Sequence, residues 1–175
     1  MTTVDILQFT DQLDETAAVP SAVVERELSL VVFTLDREHY SLPIEQVREV
    51  VRVTDITRVP HAPRHIRGVM NLRGRILPVV EIRSRLGLEP GVLTPHSRVV
   101  VVELNRRIVG LLVDAVGQVS RLGERSITKP PEEVRTAGAE AITGVGHSGN
   151  RLLMLLDLEQ VLRDNSLDTT SVVTK

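Results

Sequence analysis

His61 and His65 stand four residues apart, the interval at which two imidazoles on one helix face can share a metal ion. Pro63 falls between them and the glutamate of a zinc-protease motif is missing, so they read as loop histidines and no metal is expected. Glu45 and Glu49 have the same spacing and could work as an acid/base pair only if a cleft raised one pKa. A solvated strand or helix face is the far more common arrangement. No serine or threonine occupies an elbow or triad context, and Gly68 and Gly74 make neither a nucleotide fingerprint nor a lysine-bearing phosphate loop. Neither a cofactor nor an enzymatic activity is expected.

What remains is an arginine. The stretch RGVMNLRGRILPVV, residues 67–80, carries Arg73 between apolar flanks. Asn71, Leu72, Arg73 and Gly74 suit a type I turn, with Asn first and Gly fourth, which lifts Arg73 to the tip of a hairpin. A similar hairpin 76 residues later reads HSGN and places Gly149 opposite Arg73, so the scaffold does not require the arginine. Glu49 is matched in the same way by Gln118: the acid is lost where the arginine is lost. A Glu49–Arg73 ion pair, bidentate because guanidinium and carboxylate geometries match, is the expectation. Two unrelated surface charges are the alternative. An exposed pair adds only about 0–1 kcal/mol to folding, so its use would be to shape a docking surface.

The elements that position these residues come from an internal duplication. Residues 30–50 align with 99–119 at an offset of 69, and residues 66–86 with 142–162 at an offset of 76. Each copy reads as an apolar strand, a polar turn (Asp36 to His39; Asn105 to Arg107), a second strand, a connection, another hairpin and a short helix. EIRSRLG ends at Gly87, and in DLEQVLRD Asp157 and Gln160 are spaced as a helix cap and its capping-box partner. The runs 99–104 and 152–156 are continuous apolar stretches too short for helices, which predicts buried strands. Many short strands in two similar halves predict two small barrels side by side with a cleft between them.

Composition sets the limits. The chain has 175 residues, 42% hydrophobic and 25% charged, with a net charge of -2. The core must be aliphatic, because there are two Phe, one Tyr and no Trp; Phe33 and Tyr40 fall on apolar repeat positions and are expected inside. No cysteine is present, which excludes disulfides and thiolate metal sites. The N-terminus lacks the pattern of a signal peptide and no apolar run approaches a membrane span, so a cytoplasmic protein without direct membrane insertion is expected. Seven arginines (58, 64, 67, 73, 75, 83, 85) lie between Arg58 and Arg85 against a single acid, Glu81. With few aromatics for base stacking, nucleic-acid binding is not expected, although a barrel binding RNA or anionic ligands through this segment is the alternative from another class. Residues 1–27 are read as an acidic flexible arm with one short amphipathic turn around Ile6, Leu7 and Phe9. Residues 28–163 form the domain, its halves about 28–88 and 98–163, and 164–175 a tail.

The stretches VVFTLDREHYSLPIEQVREVV, TRVPHAPRHIRGVMNLRGRILPVVEIRSRLG, VVVVELNRRIVGLLVDAVGQV and ITGVGHSGNRLLMLLDLEQVL, in that order, resemble the CheW family of bacterial chemotaxis coupling proteins. The resemblance implies an all-β fold of two five-stranded, SH3-like β-barrel subdomains with short helices, and no catalysis. It implies two partners, the regulatory domain of a CheA-type histidine kinase and the helical hairpin tip of a chemoreceptor. Val47, Val99, Val100, Gly110 and Val119 match the family's receptor groove, and Glu49 with Arg73 its charged pair. Kinase contacts would use the outer faces of the barrels. The chain departs from the family pattern at YSL (Tyr40 to Leu42), where many members read YGI, at Glu81, where Asp is common, and in its acidic arm. The arm leaves room for a specialised coupling protein of a gliding or pilus motility pathway and for docking against the basic segment 58–85.

Overall fold

The computed structural model describes residues 24–134 and 138–163; the expectations for the arm before residue 24 and for the tail lie outside these residues. The described chain is all-β, with strands β1 (Glu27–Leu35), β2 (Glu38–Pro43), β3 (Val47–Arg52), β4 (Ile56–Thr57), β5 (Ile66–Leu72) and β6 (Arg75–Glu81) in the first copy. The second copy supplies β7 (Arg98–Leu104), β8 (Arg107–Val113), β9 (Ala115–Gly123), β10 (Ile142–Ser148) and β11 (Arg151–Leu156). One-turn helices α1 (Ile82–Arg85) and α2 (Leu158–Val161) end the two copies.

Two sheets result, ordered β10-β11-β2-β1-β9 and β3-β7-β8-β6-β5-β4. In the first, Thr128 just beyond β9 exchanges backbone hydrogen bonds with Val145 of β10, so the sheet curls back on its own edge. In the second, three residues carry edge strand β3 into edge strand β4, which brings those ends together by chain continuity. Five strands form one sheet, and five plus the two-residue β4 form the other.

The sequence halves are not the structural halves. Hairpin β1–β2 of the first copy sits in the sheet built by β9, β10 and β11, while hairpin β7–β8 of the second copy sits among β3 to β6. Parallel seams join the exchanged pieces: Ser41 lies opposite Leu155, and at the equivalent place Gly110 lies opposite Val79.

This exchange explains the unbroken apolar runs. Side chains alternate across a strand, and strands covered on both faces have no polar side. In β7, Val99 and Val101 point into one core with Met70, Leu77, Val79 and Leu112. Val100 and Val102 point into another, shared by both sheets, with Phe33, Leu42, Val80, Leu111 and Leu156. A third core, Leu30, Val32, Leu122, Leu153 and Leu155, fills the remaining barrel. Phe33 and Tyr40 stack within the shared core at 6.2 Å between ring centroids. The space between barrels, expected as a cleft, is at this level packed with aliphatic side chains around Phe33 and Tyr40.

Local details correct the sequence reading. The two-residue loops Asp36–Arg37 and Asn105–Arg106 are shorter than the expected turns, since Glu38, His39 and Arg107 already belong to strands. Asp157 caps α2 as expected, its Oδ1 accepting from the backbone N–H of Glu159 at 2.9 Å. The reciprocal half of a capping box is not made, because the N–H of Asp157 donates to the carbonyl of Ala141 at 2.7 Å.

Candidate functional site

The β5–β6 loop is tighter than a type I turn over Asn71–Gly74. Leu72 pairs with Arg75, leaving Arg73 and Gly74 as the only loop residues, and both have positive φ, 49° and 82°. That is the signature of a type I′ turn, whose twist matches that of the flanking strands. Asn71 still serves the turn, its Oδ1 accepting from the N–H of Gly74 at 2.8 Å. A left-handed backbone costs a non-glycine residue roughly 1–2 kcal/mol. The second copy avoids that cost with Gly149, φ 59°, whereas the first accepts it to place an arginine there.

From this tip the guanidinium reaches β3. Arg73 Nη1 donates to Glu49 Oε1 at 2.9 Å and Nη2 donates to Oε2 at 2.8 Å, a fork-to-fork pair on the surface. The Arg73 side chain is 74% exposed and that of Glu49 29%, so its folding contribution is about 0–1 kcal/mol. One side of each group remains available to a partner.

Four of the five groove positions lie on the adjacent strands β3, β7 and β8 and Val119 lies on the other sheet, and the five differ in exposure. Val119 on edge strand β9 is 52% exposed and Val47 on edge strand β3 is half-buried. Val99 and Val100 are completely buried, in different cores, and Gly110 is buried between Val99 and Leu77. These three cannot offer side-chain surface to a partner; β7 and β8 are interior strands with both faces covered. Of the five, only Val47 and Val119 present side-chain surface to solvent. His61 is exposed in the β4–β5 loop with φ 61°, and His65 is buried.

A sequence model of the CheW-like domain matches residues 29–166. The chain belongs to the CheW-like domain family. The chemotaxis protein CheW of Klebsiella aerogenes is 33% identical over 145 residues, 83% of this chain and 87% of that protein. Protein PilI of Pseudomonas aeruginosa is 30% identical over 115 residues, 66% of this chain and 65% of that protein. The crystal structure of scaffolding protein TtCheW from Thermoanaerobacter tengcongensis superposes with a TM-score of 0.73 at 34% identity, covering 81% of this chain and 96% of the other. Scaffold or adaptor work in chemotaxis is what this CheW-family membership establishes.

Further features of this CheW-family chain escaped the sequence. Val50 and Val119, one offset of 69 apart, are both exposed on edge strands; Ile76 and Leu152, one offset of 76 apart, are both exposed on β6 and β11. Each barrel thus shows the same pair of apolar side chains to solvent. An ionic cluster also crosses the barrel junction. Arg83 of α1 donates from Nε to Asp114 Oδ1 at 3.0 Å, from Nη2 to Asp36 Oδ1 at 3.0 Å and again from Nη2 to Asp114 Oδ2. The Asp36 backbone N–H donates to Asp114 Oδ2 at 2.8 Å, and the bond to Asp114 raises the pKa of Arg83 further. Arg85 of α1 donates from Nε to the carbonyl of Val161 at 2.7 Å, tying the two terminal helices together. Among the described residues no helix is long and apolar enough to cross a membrane, and no group of His, Asp or Glu is placed to hold a metal.

Proposed function

We propose that this chain is a non-enzymatic cytoplasmic adaptor that holds the helical hairpin tip of a chemoreceptor and the regulatory domain of a CheA-type histidine kinase in fixed relative geometry. The observation that carries the reading is the bidentate Glu49–Arg73 pair, built on a turn whose backbone favours glycine and present in only one of two otherwise equivalent copies. Strained, exposed charge of this kind adds little to folding and is suited to orienting a partner. The exposed apolar positions on both barrels support two separate docking faces, as a bridging protein needs. An exposed apolar residue such as Val119 on one barrel and a charged fork on the other are together the chemistry that receives an amphipathic helix.

The test is reconstitution of the purified chain with the kinase regulatory domain and receptor tip of the same organism. Wild-type protein is expected to retain both in one complex, Arg73→Ala and Val119→Asp to lose the receptor tip. Retention of both partners by both variants would show that these surfaces are not the docking sites. The similarity to PilI favours, as a second reading, the same bridging role in a gliding or pilus motility pathway; the identity of the receptor captured decides between them.

A further inference from the structure

The seven arginines between residues 58 and 85 divide sharply once their partners are assigned. Arg67 donates to Glu81 at 3.2 Å, Arg73 to Glu49, Arg83 to Asp36 and Asp114, and Arg85 to the carbonyls closing α2. Arg75 on β6 is exposed with no side-chain hydrogen-bond or ion-pair partner among the described residues, and so are Arg58 and Arg64. Arg58 and Arg64 both line one cleft of about 1150 Å³, bounded by the β4–β5 loop, α1 and the loop that follows α1. Ile56, Val59, Ile66, Leu88 and Leu93 give it an apolar lining. Its acids are Asp55 and Glu81, and Glu81 is already buried against Arg67 and the N–H of Gly91. An excess of positive charge therefore sits over an apolar floor.

We propose that this cleft receives the chain's own N-terminal segment, residues 1–23. That segment holds Asp5, Asp11, Asp14 and Glu15 and no lysine or arginine, and the acids are interleaved with Ile6, Leu7, Phe9 and Leu13. The charge is complementary to the cleft, and so is the mixture of acidic and apolar side chains. Length permits the contact: 23 residues extend up to about 75 Å, against roughly 35–40 Å across a domain of this size. A tether of this length keeps the segment at an effective concentration of about a millimolar, so weak contacts suffice to hold it. Docked there, the arm neutralises Arg58 and Arg64 and competes with any external polyanion for them.

The chain has no cysteine, so Thr10→Cys carries a single nitroxide label in the intact protein. Expected is loss of most amide signal for residues 58–67 and 85–88. Signal should return in an Arg58→Glu/Arg64→Glu background and at about 1 M salt, where the screening length falls to ~3 Å. Reversing Arg121 and Arg125, exposed arginines outside this cleft, should leave the broadening unchanged. Broadening that is absent, spread evenly over the surface, or insensitive to the Arg58/Arg64 reversal overturns the proposal. So does broadening of isotope-labelled, nitroxide-free molecules in a mixed sample, which would make the occupant the arm of a second copy.

Discussion

A Cβ placed on Gly110 would lie 2.5 Å from Cγ1 of Val99 and 3.0 Å from Cδ2 of Leu77. The closeness belongs to the parallel seam between β6 and β8, where the exchanged hairpin meets its host sheet. At the equivalent seam position in the other sheet stands Ser41, fully buried, whose hydroxyl donates to the carbonyl of Met154 at 3.4 Å. One seam accommodates a side chain and the other excludes it. Gly110→Ala should therefore destabilise the domain by about 1–3 kcal/mol through overpacking. Urea unfolding should also show that adding Val99→Ala recovers part of the loss, giving a non-additive pair. If receptor binding falls in Gly110→Ala, it should fall in proportion to the folded fraction.

Arg73 and Glu49 should behave oppositely. Both are partly exposed, so Arg73→Ala and Glu49→Ala should each shift folding stability by no more than about 1 kcal/mol. As part of a docking surface, each should weaken partner binding by roughly 2 kcal/mol, about 30-fold, with strong coupling in a double-mutant cycle. Calorimetric titration of the four variants measures both. Coupling in stability without coupling in binding would assign the pair to the fold alone.

At Arg83 the cost should appear in folding. Its side chain is only 13% exposed and holds two carboxylates from opposite sides of the barrel junction. Arg83→Met leaves Asp36 and Asp114 facing each other without a counter-charge, for an expected loss of about 2–4 kcal/mol. Asp36→Asn, at the exposed end of the cluster, should cost less than half as much. Thermal unfolding of the two variants ranks them.

Which parts of this architecture could be read beforehand follows from the range of the signals. The hairpins and one-turn helices were legible because turn residues and the duplicated apolar spacing act over a few positions. Glu49 and Arg73 were legible because the second copy lacks both, a comparison internal to the chain. The exchange of leading hairpins was not: β6, β8 and β11 are largely apolar on both faces, β2 is a short mixed strand, and nothing local in any of them names a parallel neighbour. For the same reason the run from Val99 to Val102 gave no indication that its members enter two different cores, and thus that Val99 and Val100 are closed to a partner. Arg83 meets residues 47 and 31 positions away, a relation with no periodic trace in the sequence.

Alkaline pH offers a readout of the shared core. Tyr40 is almost fully buried beside Phe33 and donates its hydroxyl to Glu38 Oε2 at 2.7 Å. Burial first, then the hydrogen bond and charge of Glu38, push its pKa well above the ordinary phenol value. In the unfolded chain the phenol titrates near pH 10. A folded pKa above the unfolded one means that the native state binds the proton more tightly. The resulting stability is complete below about pH 10 and is lost as pH climbs from there toward the folded value. Tyr40 is the sole tyrosine and the chain has no tryptophan, so the phenolate absorption band reports this group alone. The band should stay absent above pH 10 until the domain unfolds, and then appear together with the loss of β-sheet circular dichroism. Tyr40→Phe should remove this part of the alkaline decline; a phenolate band rising near pH 10 in the folded protein would contradict the buried, Glu38-bonded placement.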